Sequence, residues 1–265
     1  MGKAKRAHRV PANNWWARRR APSPTLQTER ELVDRPMSTT LRGISSMATR
    51  QILAELAEAY AASTTGQVAI ESVGGVDAAK RIRAGEAFDF AVLASDALAQ
   101  LEGDGHIVLG SILGFAQSPM AMAVRAGATR PATLDEAAAR AAMQAARAIG
   151  ISTGPSGNHV LKLVRDWGLE GELSRRIVQA KPGVPVAALL ASGEVDLGFQ
   201  QLSELLGAPG IEIVDVLPRA IQPMTIFAAG ICKAAASAAG ARAFIEYLAS
   251  DRSAEAKRRH GMTPV

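Results

Sequence analysis

The sequence predicts an α/β protein of two Rossmann-like lobes joined by a two-crossing hinge, and three observations carry that prediction. Short apolar runs alternate with helical periodicities from residue 41 onward, the order that builds a sheet with helices on both faces. The alternation comes in two successive sets. A long apolar run at 118–128 leaves the first set, and another at 221–234 brings the chain back to it. With 265 residues and 48% hydrophobic content the chain can bury a sizeable core, and at 4% aromatic that core is expected to be Ala, Val, Leu and Ile.

The elements follow in order. "LRGIS" (41–45) reads as a strand and "TRQILAELAEAYAAS" (49–63) as a helix, with apolar positions at 52, 53, 56, 57 and 60. "QVAIESV" (67–73) is a strand, "DAAKRIRAG" (77–85) a helix closed by Gly85, "FDFAVLA" (88–94) a buried strand, and "DALAQLEGDG" a helix stopping at Gly103. The β–α–β–α order implies parallel strands. The second set opens with the strand-like run 118–128. A helix follows whose start carries a capping box, Thr133 and Glu136. "RAIGIS", "RRIVQA", "VDLGFQ" and "IEIVDV" read as strands, with helices at 158–167 and in "PVAALLASG". "IQPMTIFAAGICKA" returns to the first set, and two Ala-rich helices follow it. The expected division is 41–118 plus 222–265 for lobe one and 124–216 for lobe two, with crossings near 118–124 and 216–222.

The charge is unevenly placed. Residues 1–36 hold nine Lys/Arg and three acids, a net of +6, whereas residues 37–265 hold 21 bases and 22 acids, a net of −1. A neutral body argues against nucleic acid as a partner, and residues 1–36 read as a disordered basic extension. That extension lacks a run of seven or more apolar residues, so it does not read as a secretory signal, and the expected compartment is the cytoplasm. Met37 as the functional start would reopen a periplasmic location. No stretch approaches the roughly 18 apolar residues of a membrane span, so no membrane insertion is expected. The single cysteine, Cys232, excludes an internal disulfide and reads as a buried small hydrophobe. The histidines at 8, 106, 159 and 260 form no ligand cluster, and neither a metal nor another cofactor is expected.

Six loops fall at strand ends, where open sheets bind ligands. They are "ISSMAT" (44–49), "SVGGVDA" (72–78), "LASDAL" (93–98), "STGPSGNH" (152–159), "AKPGVP" (180–185) and "FQQLSE" (199–204). Small and polar residues recur at the helix starts of the first, second and fourth. Such residues belong at helix caps in any case. Three of them on strand ends in two lobes point to a cleft that binds an anion with helix N-termini. Ser45, Ser46, Gly75, Val76, Ser95, Ser152, Ser156, Gly157 and Asn158 are the candidate contacts from these loops, joined by Gln200 and Gln201 from the last.

"ISSMATRQILAELAEAYAASTTGQVAIESVGGVDAAKRIRAGEAFDFAVLAS" followed by "AALLASGEVDLGFQQLSEL" resembles the type II solute-binding proteins of ABC importers, specifically their molybdate-binding group. The likeness covers roughly 41–265, with "RIRAGEAFDFAVLAS" and "LLASGEVDLGF" as its most specific segments. It implies the periplasmic-binding-protein fold, a small anionic ligand held between lobes, and ABC importer membrane subunits as partners. The chain departs from that pattern in two places. Gly75-Val76 followed by Asp77 stands where the family has a Ser pair, and Phe199-Gln200-Gln201 where it often has a tyrosine. These departures favour an organic di- or tricarboxylate over a hydroxyl-caged oxyanion.

The same fold family includes isomerases of unsaturated carboxylates. That chemistry needs a base to take a proton from carbon and donors for the enolate-like charge. His159 is the leading acid/base candidate because its pKa lies near neutrality. Lys181 is the candidate carboxylate clamp or acid, and Glu204 the further candidate base. Asp77 reads as a cap of the helix containing Arg81. Residues 1–40 show no helix-turn-helix periodicity, which argues against a transcriptional regulator's effector domain.

Overall fold

In the computed structural model the described residues are 40–130 and 135–265. The first set gives β1 (Leu41–Ser46), α1 (Arg50–Ser63), β2 (Val68–Val73), α2 (Gly75–Arg83), β3 (Phe90–Ala94) and α3 (Ser95–Gly103). The second gives β4 (Leu113–Arg125), α4 (Glu136–Ala145), β5 (Ile149–Ile151), α5 (Pro155–Asp166), α6 (Glu170–Leu173) and β6 (Ile177–Gln179). It continues with α7 (Val186–Ser192), β7 (Leu197–Gln201), α8 (Leu202–Leu205) and β8 (Ile211–Val216). The chain returns as β9 (Met224–Ile231), α9 (Ala238–Ala249), α10 (Ala254–Arg259) and β10 (Thr263–Pro264).

The strand order is β2-β1-β3-β9-β4-β7-β5-β6, with β8 and β10 also paired to β4. Within each lobe the expected parallel pairing is present: β1 with β2 and β3, and β5 with β6 and β7. The strands between them depart from it. β9 runs antiparallel to β3 and β4, and β4 runs antiparallel to β7 and β8. The physical reason is that these strands carry the chain across and back, so they must oppose their neighbours. β4 also begins five residues before the predicted run, at Leu113 rather than Ser118. One strand therefore serves both lobes, pairing β9 along 113–119 and β7 along 120–124.

The second crossing, between β8 and β9, is clasped to the first by one side chain. Gln222 Oε1 accepts from the Met120 amide at 2.8 Å, while its Nε2 donates to the carbonyls of Met120 and Leu217 at 2.9 and 3.0 Å. A side-chain amide here reproduces the pairing of a strand residue.

Each lobe buries apolar residues on both sheet faces. In lobe one α1 and α9 cover one face (Leu53, Leu56, Phe244, Leu248) and α2 and α3 the other (Ala78, Ile82, Leu98, Leu101). In lobe two α4 and α5 face α7 and α8 across the sheet. Aromatics are few but concentrated inside: all six phenylalanines are buried. Tyr60, Phe90, Phe244 and Tyr247 form a cluster with ring centroids 5.1–6.4 Å apart. Cys232 is buried, and burial pushes its thiol up to about 12. The side chain of Asp135 caps α4 by accepting from the Ala138 amide at 2.7 Å. The predicted partner in a capping box, Thr133, lies outside the described residues, as does the extension 1–36. Among the described residues no helix is long and apolar enough to cross a membrane.

Candidate functional site

A cavity of about 590 Å³ opens where the strand ends of the two lobes meet. Two helices from opposite lobes start at it. α2 begins after Gly74 and α5 after Gly154, and neither has a side chain capping its first turn. Uncapped first-turn amides are free donors, and the aligned peptide dipoles add a partial positive charge. The loops approach each other: a Cβ built on Gly74 would lie 4.0 Å from Thr153 Oγ1.

In lobe one, Ser46 ends β1 in an extended conformation, and its hydroxyl is buried without a hydrogen-bond partner. Gly75 and Val76 line the cavity beside it. Ser45 does not. Its hydroxyl is 2.8 Å from Ser72 Oγ, tying β1 to β2. Ser95 is likewise absent from the lining, where its neighbours Ala94 and Asp96 appear. Asp77 is 4.0 Å from Lys80 rather than capping α2 through its side chain.

In lobe two, Ser152, Ser156 and Asn158 line the cavity. Ser152 Oγ accepts from the Gly154 amide at 3.1 Å and lies 2.8 Å from Ser156 Oγ, which fixes the turn before α5. Gly157 is outside the lining and packs on that turn, where a Cβ would sit 1.9 Å from the Ser152 carbonyl oxygen. No side chain fits there. His159, one residue beyond Asn158, leaves the cavity altogether. Its Nε2 is 2.7 Å from the Ile221 carbonyl oxygen, so it joins α5 to the second crossing. Desolvation holds its pKa below the usual histidine value.

The end of β7 supplies the cavity's buried polar wall. Gln200 and Gln201 are each 2% exposed. Gln201 Nε2 donates to Thr225 Oγ1 at 2.7 Å, and its Oε1 has no partner. Gln200 is committed at both ends: Oε1 accepts from the Val186 amide at 2.9 Å, and Nε2 donates to Glu204 Oε1 at 2.7 Å. Glu204 keeps part of its surface open to the cavity while protein surrounds the carboxyl on its other sides. Burial pushes that carboxyl up to about 7, and the Gln200 hydrogen bond only partly offsets the rise. Next to it, Ser203 Oγ donates to the Ala48 carbonyl at 2.9 Å, linking α8 to the turn after β1.

Cations stand around the cavity. Lys80, Arg83 and Lys181 line it, with Asp96 the acid in the lining besides Glu204. Arg83 is 3.1 Å from Asp104, whereas exposed Lys181 makes no ion pair among the described residues. Thr153, Lys80 and Arg83 are lining residues that sequence reasoning missed. Lys80 and Arg83 share one helix face, a period-three signal that was available but has no meaning until the helix start is known to face a ligand. Among the described residues no group of three or more His, Cys, Asp or Glu is placed to hold a metal ion.

Comparison with known proteins agrees with this architecture. An aconitate isomerase from a Pseudomonas species is 32% identical over 232 residues, 86% of this chain and 88% of that protein. The periplasmic molybdate-binding protein of Azotobacter vinelandii superposes with a TM-score of 0.71 at 22% identity, covering 84% of this chain and 98% of that one. Peb3 from Campylobacter jejuni superposes with a TM-score of 0.64 at 16% identity over 84% of this chain and 99% of its own. Residues 41–263 match the family described as bacterial extracellular solute-binding protein. With the sheet order, the inter-lobe cavity and this match in place, the chain belongs to the bacterial extracellular solute-binding protein family.

Proposed function

We propose that the protein binds an organic di- or tricarboxylate in the cavity between its lobes. The observation that carries the reading is the cavity itself: about 590 Å³, with two uncapped helix N-termini at it and Ser46 and Gln201 in its lining, each with a buried oxygen that has no hydrogen-bond partner. That volume lies within the range of about 300–1,000 Å³ of organic ligand sites. A tetrahedral oxyanion would leave most of it to water. The α2 and α5 amides would each hold a carboxylate, Lys181 would clamp another, and Ser46, Ser156 and Asn158 would complete the contacts. In this role the protein is a receptor presenting its anion to ABC importer membrane subunits, which places it outside the cytoplasmic membrane.

A second reading, isomerisation of an unsaturated carboxylate, is favoured by one observation: a carboxyl with a pKa of about 7 stands in the same cavity. In aconitate, a base would take a proton from the methylene carbon, the double bond would shift to that carbon, and the charge would spread to a carboxylate. The same group would return the proton at the other allylic carbon. Glu204 suits the base and Lys181 the stabilising cation. His159 faces Ile221 instead. The sequence similarity to an aconitate isomerase supports this chemistry.

One set of samples tests both. Isothermal titration with trans-aconitate, citrate, molybdate and sulfate is expected to give dissociation constants on the order of micromolar for the polycarboxylates and far weaker binding of the oxyanions. The reverse preference would overturn the polycarboxylate reading. Proton NMR of the aconitate samples in deuterium oxide then separates receptor from isomerase. Carbon-bound deuterium and cis–trans interconversion, lowered roughly a hundredfold in Glu204→Gln, mark the isomerase. Neither change marks the receptor.

A further inference from the structure

The carboxyl of Glu204 is placed in an unusual way for a site that attracts anions. One oxygen accepts from Gln200 Nε2, and Gln200 cannot turn over because its own oxygen is held by the Val186 amide. No other hydrogen bond reaches the carboxyl, and no cation lies within ion-pairing distance of it among the described residues. Its free face is turned to the cavity. An ionised Glu204 would oppose a bound carboxylate there; a protonated one would donate to it.

The surroundings leave the carboxyl no other source of compensation. The turn at Met47–Thr49 and β7, both packed on α8, contain no charged residue. The charged residue of β4, Arg125, stands at the far end of that strand beside Ile211, while Met120 is the residue level with Gln201. The chain after α10 touches α8 through Gly261. Of its neighbours, Lys257 is directed to the Phe115 ring, His260 to Glu55, and Arg258 is exposed. Lys80, Arg83, Lys181 and Asp96 also line the cavity, and none of the three cations is within ion-pairing distance of the carboxyl. Burial, rather than any charged neighbour, governs this carboxyl and pushes it up to about 7.

We propose that the cavity takes up one proton together with its polycarboxylate, Glu204 holding that proton and donating it as a hydrogen bond to a ligand carboxylate. The inference rests on the polycarboxylate reading above. The proton comes from solvent, and no covalent bond of the ligand changes. Gln200 is a positioning residue that fixes which Glu204 oxygen remains for the ligand. The site thereby discriminates by charge state: below neutrality it is ready-loaded, and in alkaline solution each binding event must draw a proton from water.

Well below pH 7 Glu204 is protonated with or without ligand, so binding takes up no proton and affinity is flat. Above pH 7 the free protein has lost the proton that the complex holds. Affinity then falls by up to about tenfold per pH unit. Titration calorimetry with trans-aconitate from pH 6 to 9, in two buffers of different ionisation heat, reads both the affinity and the protons taken up. The expected wild-type result is uptake approaching one proton above pH 8. Glu204→Gln, permanently neutral and of the same shape, is expected to bind with an affinity that does not change over this range and with no proton uptake. Wild-type binding that is equally flat and proton-free would overturn the proton coupling while leaving the polycarboxylate reading intact. Absence of trans-aconitate binding at every pH would overturn both. A ligand-independent check uses ¹³C-carboxyl NMR of glutamate-labelled protein: the resonance lost in Glu204→Gln should titrate near neutrality. Titration in the ordinary carboxylate range would overturn the proposal by itself.

Discussion

At the scale of single residues, Glu204 makes the clearest energetic demand on the fold. Burial raises its carboxyl from the ordinary value of 4.5 to about 7 on folding. A raised carboxyl contributes its full share of stability below the unfolded value and loses it as pH climbs through the folded one. Wild-type protein should therefore lose up to about 3 kcal/mol between pH 5 and pH 8 at this residue, since each pKa unit is worth about 1.4 kcal/mol. Glu204→Gln removes the ionisation. Its melting temperature should match wild type at pH 5 and exceed it at pH 8. Equal differences at the two pH values would show that Glu204 titrates normally. The sequence marks this residue as polar and near a strand end, but the burial that perturbs it comes from chain segments far away in number. The same limit separates Ser46 from Ser45. Adjacent strand residues face opposite ways, and nothing local shows that Ser72 takes the hydroxyl of Ser45. Gly157 carries a further lesson: a glycine in a ligand loop is there to admit the backbone of Ser152.

At the scale of elements, α5 does two jobs with consecutive residues. Asn158 faces the cavity and His159 holds the second crossing through the Ile221 carbonyl. The helix and its amphipathic period were legible, as were nearly all strands and helices, because their apolar spacing is local. The role of His159 was not, since its partner is 62 residues away. His159→Ala should cost about 1–2 kcal/mol of unfolding free energy in urea titrations, the penalty for an unsatisfied buried carbonyl. Its affinity for trans-aconitate should stay within about threefold of wild type, under 1 kcal/mol of binding energy. A much larger affinity loss without destabilisation would return His159 to the site. The first half of β4 escaped prediction because "LGFAQ" holds a glycine and a bulge between Gly114 and Ala116, which break the period-two pattern of a strand.

At the scale of the whole body, the Gly74 and Thr153 loops approach each other across the cavity, so drawing the lobes together would narrow the cavity around a ligand. Hinge closure about β4 and the β8–β9 crossing is the motion expected on ligand binding. Small-angle scattering should show a larger radius of gyration without trans-aconitate than with a saturating amount of it. An unchanged radius would mean that the cavity fills with the lobes fixed. The two-lobed architecture was readable from the repeated β–α order. The mixed strand directions were not, because local pattern carries no record of which way a neighbour runs.

The place of β9 has a consequence for how the molecule is made. Lobe two is contiguous: β5, β6, β7 and β8 emerge from the ribosome in an unbroken stretch with β4 already present. Lobe one is not. β9 lies between β3 and β4 in the sheet, yet β3 ends at Ala94 and β9 begins only at Met224. Until then β3 presents a fully apolar strand with an open edge, the kind of surface that associates between unfinished chains. Assembly is thus ordered by the sequence, with lobe two competent first and lobe one closing last. Shielding β3 while the segment between them is translated should favour finished chains over associated ones.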